Sequence, residues 1–197
     1  RVVAPDVGGG FGIKGHLFAE EVALCAASRM LAAPLKWIED RRENLLSSIH
    51  AREHIYDIEV AVDEQGAILG LRARIVVDVG AYHVWPWTGA MEPLMAGGFL
   101  PGPYRINNYH AETYGIATNK CPVGPYRGVA RPASTYAMEG TVDLVARNLG
   151  LDPAEVRRRN LLTPDEFPYV SASRLVYDSG NYPACLDTAL ERIDYAS

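Results

Sequence analysis

From Ile55 to Val62 apolar side chains fall on alternate positions, Tyr56, Ile58, Val60 and Val62. After the Asp63-Glu64-Gln65-Gly66 stretch the alternation resumes through Leu69, Leu71, Ala73, Ile75, Val77 and Val79. A period of two puts one row of side chains on a single face of a strand. Two such runs flanking a turn-forming segment predict an antiparallel hairpin. Arg72, Arg74 and Asp78 occupy the opposite face of its second strand, so that face meets water or another domain.

The rest of the chain supplies cover for this sheet. Leu17 to Leu31 predicts a helix with Phe18, Val22, Cys25, Ala26 and Arg29 or Met30 along one side, stopped by Pro34. Leu35 to Ile38 predicts a short strand and Asp40 to Ser47 a helical turn. Tyr82 to Pro103, rich in Gly, Pro, Trp and Met, predicts an irregular segment with one helical turn. Tyr104 to Ala117 returns to the sheet as a strand. Ser134 to Leu149 predicts a helix with Met138, Val142, Val145 and Leu149 on its buried stripe and Gly150 as its stop. Asp152-Pro153, with Glu155 at the capping-box position, opens a further helix through Asn160. A last helix runs from Pro183 towards Asp194 and packs through Leu186, Leu190 and Ile193. These elements give an α+β fold, an antiparallel or mixed sheet with helices packed on it, over residues 1–197 as a single lobe.

The composition excludes several classes. No apolar run approaches the roughly 18 residues that cross a membrane, and a net charge of -5 lacks the basic footprint of a nucleic-acid binder. The Arg157 to Arg159 run reads as the solvated face of a helix. Cys25, Cys121 and Cys185 are widely spaced and odd in number, which fits neither a disulfide framework nor a zinc or iron-sulfur site. A reducing compartment, the cytoplasm, is the expectation. The chain begins at Arg1 almost directly in a motif, which reads as a fragment of something longer.

That motif is Asp6-Val7-Gly8-Gly9-Gly10-Phe11-Gly12-Ile13-Lys14. Glycine at Gly8, Gly9, Gly10 and Gly12 permits close backbone approach and positive φ, and successive N–H groups in such a turn form a concave donor surface for an anion. The spacing to Lys14, with no Ser or Thr after it, is not that of a nucleotide phosphate loop, and no dinucleotide fingerprint is present. A second small-residue loop, Thr118 to Pro132, contains Tyr126-Arg127-Gly128-Val129-Ala130-Arg131-Pro132 and leads into a helix. Glu20 and Glu21 read as structural residues suited to the start of a helix. His50 and His54 have metal-ligand spacing on a helix but lack a third ligand, and read as structural. His83, Trp85 and Trp87 either line a channel or fill an interface.

Taken in order, the first loop, the second loop and the downstream segment Leu151 to Asn160 resemble the large subunit of the molybdenum hydroxylases, the family of xanthine dehydrogenase, aldehyde oxidase and aerobic carbon monoxide dehydrogenase. The resemblance spans essentially the whole chain. It implies the first molybdenum-cofactor-binding domain of a larger subunit, with molybdopterin, the cytosine dinucleotide among its forms, and molybdenum held through the pterin rather than by protein ligands. It implies FAD and iron-sulfur clusters on partner subunits or domains, and the rest of the large subunit as a further partner. The implied reaction oxidises an aldehyde or N-heterocycle carbon with water as oxygen source.

The resemblance assigns Gly9, Gly10, Phe11 and Gly12 to cofactor binding, with the Phe11 ring limiting substrate orientation. It assigns Arg127 and Gly128 to the facing loop, Arg127 holding an anionic substrate group or a cofactor oxygen. Lys14 is left open between a phosphate and solvent. Gly128 stands where carbon monoxide dehydrogenases proper carry a copper-bridging cysteine, which argues against carbon monoxide. Gly15, Pro93 and Val129 stand where purine-oxidising members carry glutamate, arginine and phenylalanine, which argues against purines. The family's general-base glutamate lies beyond Ser197, so the isolated chain is expected to be inactive. The alternatives are a non-catalytic binding or assembly module derived from this family, and a free-standing anion-binding domain using the Gly8 to Gly12 turn. An exposed Tyr82 to Pro103 segment would favour self-association.

Overall fold

The computed structural model describes residues 1–87 and 89–195. Thr88, inside the segment read as irregular, lies outside the described residues. By internal contacts the chain divides into two compact units. The first comprises Arg1–His54, Val76–Leu94 and Tyr114–Val129; the second comprises Ile55–Ile75, Met95–Thr113 and Ala130–Ser197.

The hairpin forms as β1 (His54–Val62) and β2 (Ile68–Gly80), and β3 (Tyr109–Ala117) lies on the far side of β2, giving the order β1-β2-β3. Asp63 shapes the connecting turn: its N–H donates to the Ala67 carbonyl, and its carboxylate accepts from the N–H groups of Gln65 and Ala67. Leu71, Ala73, Ile75, Val77 and Val79 are buried as the alternation requires, while Leu69 is exposed. Arg72 and Arg74 lie on the open face and pair with Glu59 and Asp57 of β1.

In the second unit, α4 (Arg131–Leu149) buries Ser134, Met138, Val142, Val145 and Ala146, and Gly150 ends it in the left-handed conformation at φ 67. Leu149, expected on the same stripe, is exposed. The Ser134 hydroxyl donates to the Ala96 carbonyl and meets the Tyr56 hydroxyl, tying α4 to β1 and the preceding segment. Next, α5 (Pro153–Asn160) is capped by Asp152, whose carboxylate accepts from the Ala154 and Glu155 N–H groups. The capping box does not close, because the Glu155 carboxylate pairs instead with Arg158. Asn160 is buried and joins the hairpin turn to α5: its oxygen accepts from Ile68 N–H, and its amide donates to the Gly66 and Val156 carbonyls. Helix α6 (Tyr182–Arg192) begins at the Asn181 cap; Leu186 and Leu190 are half-buried and Ile193 is exposed.

Several expectations are corrected. Residues 35–38 form no strand, because they find no backbone partner among the described residues, whereas the helical turn expected next forms as α2 (Arg41–Ser47), capped by Asp40. Helix α1 (Ala19–Leu31) forms, yet it has no buried residue, with Val22 and Met30 exposed. Its apolar stripe is therefore left largely exposed among the described residues. The segment around Pro93, Gly97 and Gly98 forms a full helix, α3 (Met91–Phe99). Gly97 is needed there because a Cβ would come within 2.8 Å of the Thr113 methyl, so close packing overrides low helix propensity. A small pair, β4 (Tyr169–Val170) and β5 (Val176–Tyr177), had no signature long enough to read. Arg157 is not solvated: its guanidinium is drawn in to Glu139 and Asp143, both at 2.8 Å.

Candidate functional site

The first loop, and the second as far as Val129, belong to the first unit and lie against each other. The first turns tightly: Lys14 N–H donates to the Gly10 carbonyl at 3.1 Å and Gly15 N–H to the Gly12 carbonyl at 3.0 Å, closing a short 3-10 turn over Ile13–Gly15. Phe11 sits at φ 51 and Gly12 at φ 89, conformations in which glycine is favoured. A Cβ on Gly12 would lie 2.4 Å from the Pro125 carbonyl oxygen, so the second loop touches the first where a side chain would fit worst. By contrast, Gly8 and Gly10 face open space. The backbone N–H groups of Gly8 to Gly12 donate to nothing among the described residues.

The second loop is anchored at its start. Asp78, at the end of β2, accepts from Gly80 N–H and Thr118 Oγ1 at 2.8 and 2.7 Å and pairs with Lys120 at 3.2 Å. Burial alone would raise its pKa; these donors and the Lys120 charge outweigh it and hold the carboxyl below its ordinary value. Farther along, Arg127 N–H donates to the Phe11 carbonyl at 2.9 Å, and its own carbonyl accepts from the Arg52 guanidinium. Arg52 also stacks over the Tyr126 ring, 5.3 Å from its centroid. With its backbone held on both sides, Arg127 lays its guanidinium over the Phe11 ring, 5.6 Å from the centroid. That guanidinium makes no ion pair among the described residues, unlike a structural arginine.

A cleft of about 990 Å³ opens beside the first loop and is lined in part by Gly9, Phe11, Lys14, His16, Trp37 and Tyr126. Gly9, Gly10, Phe11, Gly12, Arg127 and Gly128 are thus brought into two adjoining loops, Gly128 adopting φ 100.

The family model for the molybdopterin cofactor-binding domain matches residues 1–161. The chain belongs to this family. It is 43% identical to the nicotine 6-hydroxylase large subunit of Paenarthrobacter nicotinovorans over 196 residues, which are 99% of this chain and 24% of that protein. It is 38% identical to the carbon monoxide dehydrogenase large chain of Hydrogenophaga pseudoflava, again over 99% of this chain and 24% of the relative. Among solved structures it resembles quinoline 2-oxidoreductase from Pseudomonas putida 86, with a TM-score of 0.91 at 40% identity, over 98% of this chain and 24% of that one. The chain spans about a quarter of the length of the relatives it matches.

In this member of the family, the remaining residues singled out in the sequence are placed as follows. His50 and His54 are not on a helix: His50 bridges to Val123, and His54 opens β1 with its Nε2 3.3 Å from the buried Glu92 carboxylate. No cluster of metal-ligating side chains occurs among the described residues, and none of their helices is long and apolar enough to cross a membrane. Glu21 is structural as expected, its carboxylate accepting from Phe18 N–H. His83 Nδ1 accepts from Gly89 N–H. Cys25, Cys121 and Cys185 are free thiols. Sequence reasoning missed His16, Arg52 and Pro125, because their contacts join segments far apart in the chain and leave no local signature.

Proposed function

We propose that this chain is a single cofactor-binding lobe of the large subunit of a molybdenum hydroxylase that oxidises an aldehyde or N-heterocycle carbon with water as the oxygen source. The observation that carries the reading is that, among the described residues, the N–H groups of Gly8 to Gly12 donate to no partner, beside an Arg127 guanidinium that makes no ion pair, in a loop where Gly8 and Gly10 leave room for a ligand. This donor set suits an oxygen-rich anionic group, which molybdopterin is. When bound, the cofactor supplies the redox centre at which substrate carbon is oxidised.

The chain's own residues bind and orient. Gly9, Gly10 and Gly12 let the backbone approach, and their N–H groups stabilise negative oxygen without reorganisation. Arg127, always charged and planar, holds an anionic oxygen of cofactor or substrate. The Phe11 ring, braced by Arg127, restricts how a flat substrate enters. Gly128, at positive φ, lets the second loop turn away behind Arg127. The general base comes from elsewhere in the parent subunit. Cytosine dinucleotide is the proposed pterin form, with FAD and iron-sulfur clusters on partner subunits in the cytoplasm. The unused apolar face of α1 suits coverage by the rest of the subunit.

The test is turnover of quinoline and benzaldehyde by the full-length parent complex in oxygen-18 water. Label in the hydroxylated product supports the reading. No turnover by a parent that carries no cofactor supports the binding-module alternative.

A further inference from the structure

His16 follows the 3-10 turn that closes the first loop, and it is 6% exposed. Its ring meets Phe18 edge-on, with centroids 6.2 Å apart. Across the ring lies the second loop: a Cβ added to Gly124 would be 3.1 Å from His16 Nε2 and 3.0 Å from Ile49 Cδ1. Three contacts therefore register the loops along their length: His16 with Gly124, Gly12 with Pro125, and Phe11 with Arg127. The His16 contact is the one farthest from Arg127, and both its neighbours are pinned. Leu17 N–H donates to the Trp85 carbonyl, and Gly124 N–H to the His50 carbonyl.

Among the described residues neither ring nitrogen makes a hydrogen bond of good geometry, the Trp85 carbonyl alone lying near enough to act on the ring. Burying an imidazole this way is costly compared with an apolar side chain of the same shape, so the ring is an unusual choice for mere filling. Burial lowers its pKa, and the Trp85 carbonyl only partly offsets this, so the ring is neutral near pH 7.

We propose that His16 is a positioning residue: seated against Gly124, it sets the spacing of the two loops and thereby the placement of Arg127 over Phe11. The role rests on the reading that these loops hold the cofactor. It acts through packing and touches no reacting group.

The test uses the full-length parent complex with H16A, H16Q, G124A and the H16A/G124A double variant. Three quantities are read: molybdenum and pterin content, amide exchange across Gly124–Gly128, and the electron paramagnetic resonance spectrum after dithionite reduction. H16A is expected to speed exchange of that segment about tenfold, with cofactor content within twofold of the original and a shifted molybdenum spectrum. The added methyl of G124A refills part of the space that H16A leaves. The double variant should therefore fall closer to the original protein than the sum of the singles, the mark of direct coupling. H16Q, which keeps bulk, covers the case in which H16A does not fold and should show a smaller shift of the same kind. Unchanged exchange and spectrum in H16A or H16Q, or strict additivity in the double variant, overturns the proposal. A parent without molybdenum would defeat the cofactor reading while the exchange data still report whether His16 sets the loop spacing.

Discussion

Gly12→Ala tests the contact on which the site geometry depends. At φ 89 and ψ -42, Gly12 lies outside the regions open to other residues, so alanine there costs about 1–3 kcal/mol. The new methyl would sit 2.4 Å from the Pro125 oxygen and 2.8 Å from its carbonyl carbon, which are backbone atoms that cannot rotate away. Relief requires the loops to separate, and that strains the Arg127 N–H to Phe11 carbonyl bond, itself worth about 1 kcal/mol. Together these give a local cost of about 2–4 kcal/mol, or roughly 30-fold to nearly a thousandfold faster exchange of the Arg127 amide at about 1.4 kcal/mol per decade. Amide exchange on the full-length parent reads this directly. Gly10→Ala is the internal comparison. With no atom within 4 Å of its Cβ and no left-handed φ, it should leave Arg127 exchange unchanged. If the loop meets the cofactor there, Gly10→Ala should instead lower molybdenum content. Original exchange and cofactor content in Gly12→Ala would mean that the Gly12–Pro125 contact does not set the loop geometry.

Other outcomes follow from single contacts. Asn160→Leu removes three buried hydrogen bonds and leaves the Ile68 N–H without its acceptor, so it should cost about 3 kcal/mol in urea unfolding; a loss below about 1 kcal/mol would count against it. The Glu166 carboxyl is held down to about 2 by hydrogen bonds from Arg105. Its folded value lies below the unfolded one, so its contribution is present above about pH 4.5 and is lost as pH falls towards 2. Glu166→Gln should flatten that acid limb, at a cost near neutral pH of about 1–2 kcal/mol after allowing for solvent screening of the half-exposed Arg105.

What was legible in the sequence follows the range of the interactions involved. The hairpin was readable because alternation along Tyr56 to Val79 is local and reports burial directly. The α4 stripe and its Gly150 stop were readable for the same reason. Helix α3 was not, because Gly97 and Pro93 argue against a helix and only the Thr113 contact makes glycine necessary. The absent strand at residues 35–38 and the bare face of α1 have one cause: apolar patterning marks residues suited to burial, and neither segment meets a covering partner among the described residues. At the site, glycine spacing and Arg127 drew attention to both loops. Their registration through Gly12 and Pro125, and through His16 and Gly124, is set by non-local packing that no local pattern encodes.

If these two loops belong to a molybdenum-cofactor site, the subunit that contains them carries that cofactor. Elemental analysis and pterin fluorescence of the full-length parent complex, produced with molybdate, test it most directly. Molybdenum and pterin are expected in near-equal amounts, both reduced by Gly12→Ala. A well-folded, molybdate-supplied parent with neither would contradict it.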